Sequence, residues 1–195
     1  MFEREDKPRP TEWKILLEGL EQRNNKGNRV SVDIDVLERE PMRDLKAWID
    51  TCLETYFRQI MGAKHEAKIH VTQSWSNYSA PGQWHHSHRH QNSWISGVYY
   101  VQCNPNDKIQ FSRDHYDQIR LIPEHWSIYN SPTWWVPVSA GLLLLFPSNL
   151  IHEVPQVEGD KVRISIAFNT WPSGALGDSD QKTALQLIEP IVKAL

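Results

Sequence analysis

At residue 67 the apolar residues stop recurring at three- and four-residue steps and begin to alternate. That change of period constrains the fold more than any other feature. Successive side chains of a strand point to opposite faces, so alternation builds half-buried strands. Lys68–Tyr78 sets Ile69, Val71, Gln73, Trp75 and Asn77 against His70, Thr72, Ser74 and Ser76. Pro81-Gly82 breaks the run, and a His-rich strand with its extension is predicted over about 84–102. Further short strands are predicted at Ile109–Ser112, Ile119–Ile122, Trp134–Val138, Gly141–Pro147 and Val162–Thr170, with loops rich in Pro, Asn and Asp between them. About eight short antiparallel strands of this kind predict a sandwich, a jelly roll or a closed barrel.

The flanks read differently. Residues 1–10 are charged and proline-bearing and predict a loose arm. Residues 11–62 predict a helical support. A first helix, Glu12–Gln22, is capped by Thr11 and carries Trp13, Leu16, Leu17 and Leu20 on one face. Val30–Val36 alternates and predicts a short strand. After Pro41 a second helix carries Leu45, Trp48, Ile49, Cys52, Leu53, Tyr56, Phe57 and Ile60, with Gly62 as its stop. The strand block occupies 67–172. A last amphipathic helix is predicted over 180–193 from Leu185, Leu187, Ile188 and Ile191, kinked or ended by Pro190.

The 195 residues suffice for one domain, 1–195, with a substantial core. An apolar share of 39% and a charged share of 23% are those of an ordinary globule, and a net charge of −3 gives no basic footprint for nucleic acid or anionic lipid. No segment approaches the roughly 20 apolar residues of a membrane span, and the N-terminus lacks the apolar core of a signal peptide. Cys52 and Cys103 do not make a disulfide framework. A cytoplasmic chain with reduced thiols is expected. Association as a homodimer is compatible with this reading, and no residue demands it.

The chemistry concentrates in Trp84-His85-His86-Ser87-His88-Arg89-His90. Imidazole ligates iron, zinc, copper and nickel. On an extended strand His86, His88 and His90 could share one face. A lone His152 follows the apolar strand Leu142–Phe146, and Arg163 and Ser165 share one face of the next strand, opposite Ile164, Ile166 and Phe168. If that face looks inward, Arg163 needs an anion. Its planar fork suits a carboxylate, to which Ser165 can add a hydroxyl donor. Asn77 shares its face with Trp75. Glu153, next to His152, faces the opposite way. The six tryptophans Trp75, Trp84, Trp94, Trp126, Trp134 and Trp135 could line a substrate groove, but most are expected to be core and rim aromatics of a small barrel.

His-x-His, a long gap, His, then Arg-x-Ser resembles the non-haem Fe(II) 2-oxoglutarate oxygenases, whose usual iron ligands are two His and one carboxylate. Asn77-Tyr78-Ser79-Ala80-Pro81-Gly82 loosely resembles the segment that leads into the first ligand of AlkB-like members, which makes His88 the first ligand and puts His90 at the carboxylate's place. His88–Tyr100, Phe146–Val154 and Arg163–Asn169 together resemble the 2OG-Fe(II) oxygenases of bacteria and their phages, over roughly residues 70–170. The resemblance implies a mainly β fold, a double-stranded β-helix (jelly-roll, cupin-like) core with the N-terminal helices packed on one sheet. It implies Fe(II) on His88, His90 and His152. It implies 2-oxoglutarate on Arg163 and Ser165, with Asn77 and Tyr99 or Tyr100 as further donors, and hydroxylation of a substrate by O2 with release of succinate and CO2. The substrate would be a prolyl or other protein residue, or a small molecule. Asp114–Pro132 is the expected lid.

His90 departs from the usual carboxylate. It leaves a three-His site, or a two-His site with His90 beside the metal, and aspartyl β-hydroxylase-like enzymes resemble the latter in working without the carboxylate. Two other readings stand beside this one. One is a three-His cupin-like dioxygenase that uses no 2-oxoglutarate. The other is a non-catalytic metal- or ligand-binding jelly roll. Succinate release separates the first, and iron-dependent O2 uptake the second.

Overall fold

The computed structural model describes residues 2–3, 10–64, 66–113 and 122–191. The elements in order are β1 (Phe2–Glu3), α1 (Pro10–Glu18), β2 (Gln22–Asn24), β3 (Arg29–Ser31), α2 (Arg43–Thr55), β4 (Lys68–Ser79), β5 (His85–His88), β6 (Ile95–Gln102), β7 (Lys108–Ser112), β8 (Thr133–Pro137), β9 (Leu142–Pro147), β10 (Ile151–Val154), β11 (Arg163–Leu176) and β12 (Leu185–Leu187). Short 3-10 turns at Val36–Glu38 and Glu40–Met42 precede α2, and a π-helical turn, Tyr56–Ile60, follows it.

The strands form two antiparallel sheets. The larger runs β1-β9-β6-β11-β4-β3-β2, with β12 on β11, and the smaller runs β5-β10-β7-β8. Strands β4 to β11 thus give four strands to each sheet, which is the jelly roll. The long pair β4–β11 runs from Ser79↔Arg163 to Lys68↔Ser173, with one register shift between Asn169 and Thr170, and forms the spine.

Alternation along this spine sorts two cores. On the outer face of the larger sheet, Ile164, Ile166, Phe168, Tyr78, Tyr99, Leu143 and Leu145 pack under Leu17 of α1 and Leu45, Ile49, Cys52 and Leu53 of α2. On the inner face, Tyr100, Leu142, Leu144 and Phe146 meet Ile109 of β7. The expected packing of the helices on one sheet is what forms. Arg58 closes the C-terminal end of the helical segment by donating to the carbonyls of Ala63, Lys64 and Ala67. Gly62, at φ +65°, turns the chain there. Among the described residues no helix is long and apolar enough to cross a membrane.

Several expectations are corrected. The first helix ends at Glu18, and the following residues turn into a β2–β3 hairpin. The predicted strand Val30–Val36 is strand only to Ser31, with a single Asp35↔Ser74 bridge beyond it. The arm is not wholly loose, because Phe2 pairs with Leu143. The C-terminal helix is absent from the described residues. Gly177, at φ +76°, reverses the chain, and Leu185–Leu187 pairs with Gly174–Leu176. The helical spacing of Leu185, Ile188 and Ile191 meets no apolar surface, and all three stay exposed. Of the predicted strand Ile119–Ile122 and the predicted lid Asp114–Pro132, residues 114–121 lie outside the described residues.

The His-rich strand is split. β5 belongs to the smaller sheet and β6 to the larger, and residues 89–94 cross between them. His90 is therefore off the ladder, and its N–H donates to the Ser148 carbonyl at 3.0 Å.

Candidate metal centre

His88 and His152 are register partners on β5 and β10, so their side chains enter the space between the sheets side by side, with ring centroids 4.3 Å apart. His90 reaches the same point from the crossover, 5.2 Å from the His88 ring and 5.1 Å from the His152 ring. Its ring stacks on Trp75 at 5.7 Å. The three histidines offer ligand atoms that all lie within 4.8 Å of one another.

Each imidazole is oriented by its other nitrogen. His88 Nδ1 donates to the His86 carbonyl at 2.8 Å, His152 Nδ1 to the Leu150 carbonyl at 3.0 Å, and His90 Nδ1 to Asn169 Oδ1 at 2.6 Å. Carbonyl oxygens only accept, so the proton sits on Nδ1 in each ring and the Nε2 lone pair is left free. Tying the distal N–H to a carbonyl is how proteins fix metal-binding histidines. The electrostatics agree. Burial, reinforced by the neighbouring imidazoles, pushes His152 down to about 3 and His88 to about 4. Burial also lowers His90, partly offset by Asn169. All three are neutral, ligand-ready bases at pH 7.

Deeper between the sheets lies a polar pocket on the larger sheet. Arg163 opens β11 and is only 3% exposed. Ser79 lies across from it on β4. Ser165, two residues on, pairs with Asn77 on one side and Tyr100 on the other. Arg163, Ser165, Asn77 and Tyr100 line the same cavity as His88, His90 and His152. Among the described residues no carboxylate lies within ion-pair distance of Arg163. Asn77 Oδ1 and Ser79 Oγ are buried without hydrogen-bond partners. A buried guanidinium with no anion and unsatisfied polar atoms beside it is costly unless a ligand completes it. These residues fit a small carboxylate-bearing molecule reaching from the metal position to Arg163.

Of the residues expected for the site, Asn77, His88, His90, His152, Arg163 and Ser165 line this one cavity. Tyr99 is corrected. It faces outward, in edge contact with Trp13 and Trp48, and Tyr100 takes its place in the cavity. The register shifts between β6 and β11 near Ile164, and alternation decides which tyrosine enters. His85, assigned to the approach, lines the cavity because a bulge between β5 and β10 brings it round beside His88, 4.5 Å ring to ring. His86 does not line that cavity. Asn169 was missed as the His90 partner, although it shares its face with Arg163 and Ser165 by simple alternation. Glu153 faces away, as expected, and accepts from Gln110 at 2.7 Å.

A family described as "Putative 2OG-Fe(II) oxygenase" matches residues 73–169, a span that holds every residue of the cavity just described. The chain belongs to this family. The fold of this oxygenase is shared with solved structures of low identity. The carbocyclase SnoK from nogalamycin biosynthesis is 13% identical, with 95% of this chain and 86% of SnoK covered at a TM-score of 0.61. HygX from Streptomyces hygroscopicus, solved with nickel, 2-oxoglutarate and hygromycin B, is 13% identical, with 84% and 78% covered at a TM-score of 0.60. A Pseudomonas putida prolyl-4-hydroxylase is 13% identical, with 76% and 77% covered at a TM-score of 0.51. At these identities the likeness speaks for the jelly roll. No curated protein matches this oxygenase.

Proposed function

We propose that the chain is an Fe(II)- and 2-oxoglutarate-dependent hydroxylase whose iron is held by His88, His90 and His152. The observation that carries this reading is the pairing of two features in one cavity. Three imidazoles have every Nδ1 proton engaged, and a buried guanidinium stands beside them with no carboxylate of its own among the described residues. Bound together, Fe(II) and 2-oxoglutarate supply the oxidation of a substrate C–H bond to C–OH by O2, with CO2 and succinate as the other products.

The chain's own residues bind, orient and exclude water. Arg163 and Ser165 receive the carboxylate remote from the metal, and Asn77 adds a third polar contact. Tyr100, fully buried, has its phenol pushed up by burial and so stays a neutral donor. Phe146 and Phe111 close the apolar side against His152. Substrate enters through the polar groove lined by Arg23, Asn25, Gln73 and Arg89, which opens on His88 and His90. A prolyl or other protein residue carried on an extended segment suits a groove set with side-chain amides.

The test is 2-oxoglutarate turnover of the Fe(II)-loaded chain, followed as succinate, with His152→Ala and Arg163→Met beside the wild type. His152→Ala should lose turnover. Arg163→Met should raise the KM for 2-oxoglutarate at least about 30-fold, since truncating one partner of a buried charge pair costs about 2–5 kcal/mol. Turnover that survives the loss of His152 sinks the site.

A further inference from the structure

Two histidines left aside by this reading, His85 and His86, make a second triad with His88. We propose that His85, His86 and His88 form a second divalent-cation site at the mouth of the iron centre, which takes Zn2+, Ni2+ or Cu2+ and competes with the inner site for His88.

The geometry comes from the bulge in β5. On a regular strand His85 and His86 point to opposite faces and share nothing. The bulge lets both rings gather on His88, with centroid separations of 5.0 Å for His85–His86, 4.5 Å for His85–His88 and 5.0 Å for His86–His88. Ligand atoms of the three lie within 4.8 Å of one another. Their surroundings leave donors free. His86 Nδ1 is buried with no hydrogen-bond partner. His85 Nε2 receives only the Asn25 amide, at 3.2 Å. If a cation displaces that bond, Asn25 Nδ2 keeps its 3.0 Å bond to Asn28 Oδ1. The triad lines the open groove, so a hydrated ion reaches it without passing the inner cavity.

Chemistry sets the selectivity. Three imidazoles with no carboxylate suit Zn2+, Cu2+ and Ni2+, and the general order of affinities puts Fe2+ below all three. His88 sets the competition. Its Nδ1 is held by the His86 carbonyl, so it has one lone pair, on Nε2, and serves one ion at a time. A cation in the outer triad therefore leaves the inner centre with His90 and His152 alone. The competition rests on the iron reading above. Binding by the outer triad does not.

Ni2+ titration of paired variants separates the two sites, with each variant's melting transition followed with and without Ni2+ to report folding. His90→Ala/His152→Ala keeps the outer triad and is expected to bind one Ni2+. Adding His85→Ala and His86→Ala should weaken that binding at least about tenfold, since even disturbing a partner behind a metal ligand costs about 10–100-fold in affinity. His85→Ala/His86→Ala keeps the inner triad and should also bind one. No binding by folded His90→Ala/His152→Ala, or binding undiminished by loss of His85 and His86, overturns the outer site. Binding by His90→Ala/His152→Ala but none by His85→Ala/His86→Ala upholds the outer site and removes the iron reading instead. In the wild type the second equivalent should bind at least about tenfold more weakly than Ni2+ binds the outer triad alone. Two equally tight equivalents would overturn the sharing of His88.

Discussion

Asn169 accepts the His90 Nδ1 proton and is approached by Ser96 Oγ at 3.5 Å, so the free lone pair of His90 depends on an amide of the sheet opposite His88 and His152. Asn169→Leu removes the acceptor and lets the ring turn. In the His85→Ala/His86→Ala background, which keeps only the inner triad, this should lower the Ni2+ affinity about 10–100-fold, the usual effect of losing a partner behind a metal ligand. Asn169→Asp keeps an acceptor and should hold the metal. Equal affinity with and without Asn169→Leu in that background, by competition against a chelator, would show that Asn169 does not orient His90. The depressed histidines give a second prediction. His152 is buried and its pKa is about 3 in the fold against an ordinary 6.5. Between those values the unfolded chain binds the proton and the native chain does not. The stability it confers is therefore present above pH 6.5 and drains as the pH falls toward 3. The slope is up to about 1.4 kcal/mol per pH unit for this group alone. In chelator, the melting temperature of the wild type should drop from pH 6.5 to 4.5 more steeply than that of His152→Ala. Parallel curves would refute the assignment.

At the scale of elements, the close approach of β6 to β11 is made by Gly97. A Cβ there would stand 2.0 Å from the Phe168 ring, inside the core under α2. Gly97→Ala should cost about 1–3 kcal/mol as overpacking, and Ile49→Ala of α2 about 2–5 kcal/mol as a cavity. Denaturant unfolding measures both, and an unchanged midpoint for Gly97→Ala would mean that the ring moves freely. The strands and α2 were legible because alternation and three-four spacing record which face is buried. Asn77, His152, Arg163 and Ser165 were legible for the same reason. What escaped were features that periodicity does not record. The bulge that turns His85 inward adds one residue to a ladder without changing composition. The split of the His-rich run at residues 89–94 transfers the chain between sheets, which no local pattern announces. The C-terminal segment has a helical spacing, yet Gly177 and the open edge of β11 capture it as a strand. Tyr99 and Tyr100 are adjacent and alike, and only the register of β6 on β11 chooses between them.

In the whole molecule the cavity joins the two sheets. His88 and His152 belong to the smaller sheet, Arg163, Ser165, Asn77 and Asn169 to the larger, and His90 to the crossover. Ligands bound there would tie the sheets together, whereas the bare guanidinium works against the fold. Arg163→Met should therefore raise the stability of the ligand-free chain by about 1–4 kcal/mol, as when buried charges give way to apolar groups of similar volume. It should also abolish the further rise in melting temperature that 2-oxoglutarate adds to that given by Ni2+ alone. A variant no more stable than the wild type would mean that Arg163 is already neutralised within the fold. The position of His90 has a different consequence. Because it sits on the crossover and not on a ladder, its side chain is free of strand register. A codon change there exchanges imidazole for carboxylate without unpairing a strand. The charge of the proposed coordination sphere can thus be revised independently of the scaffold that surrounds it.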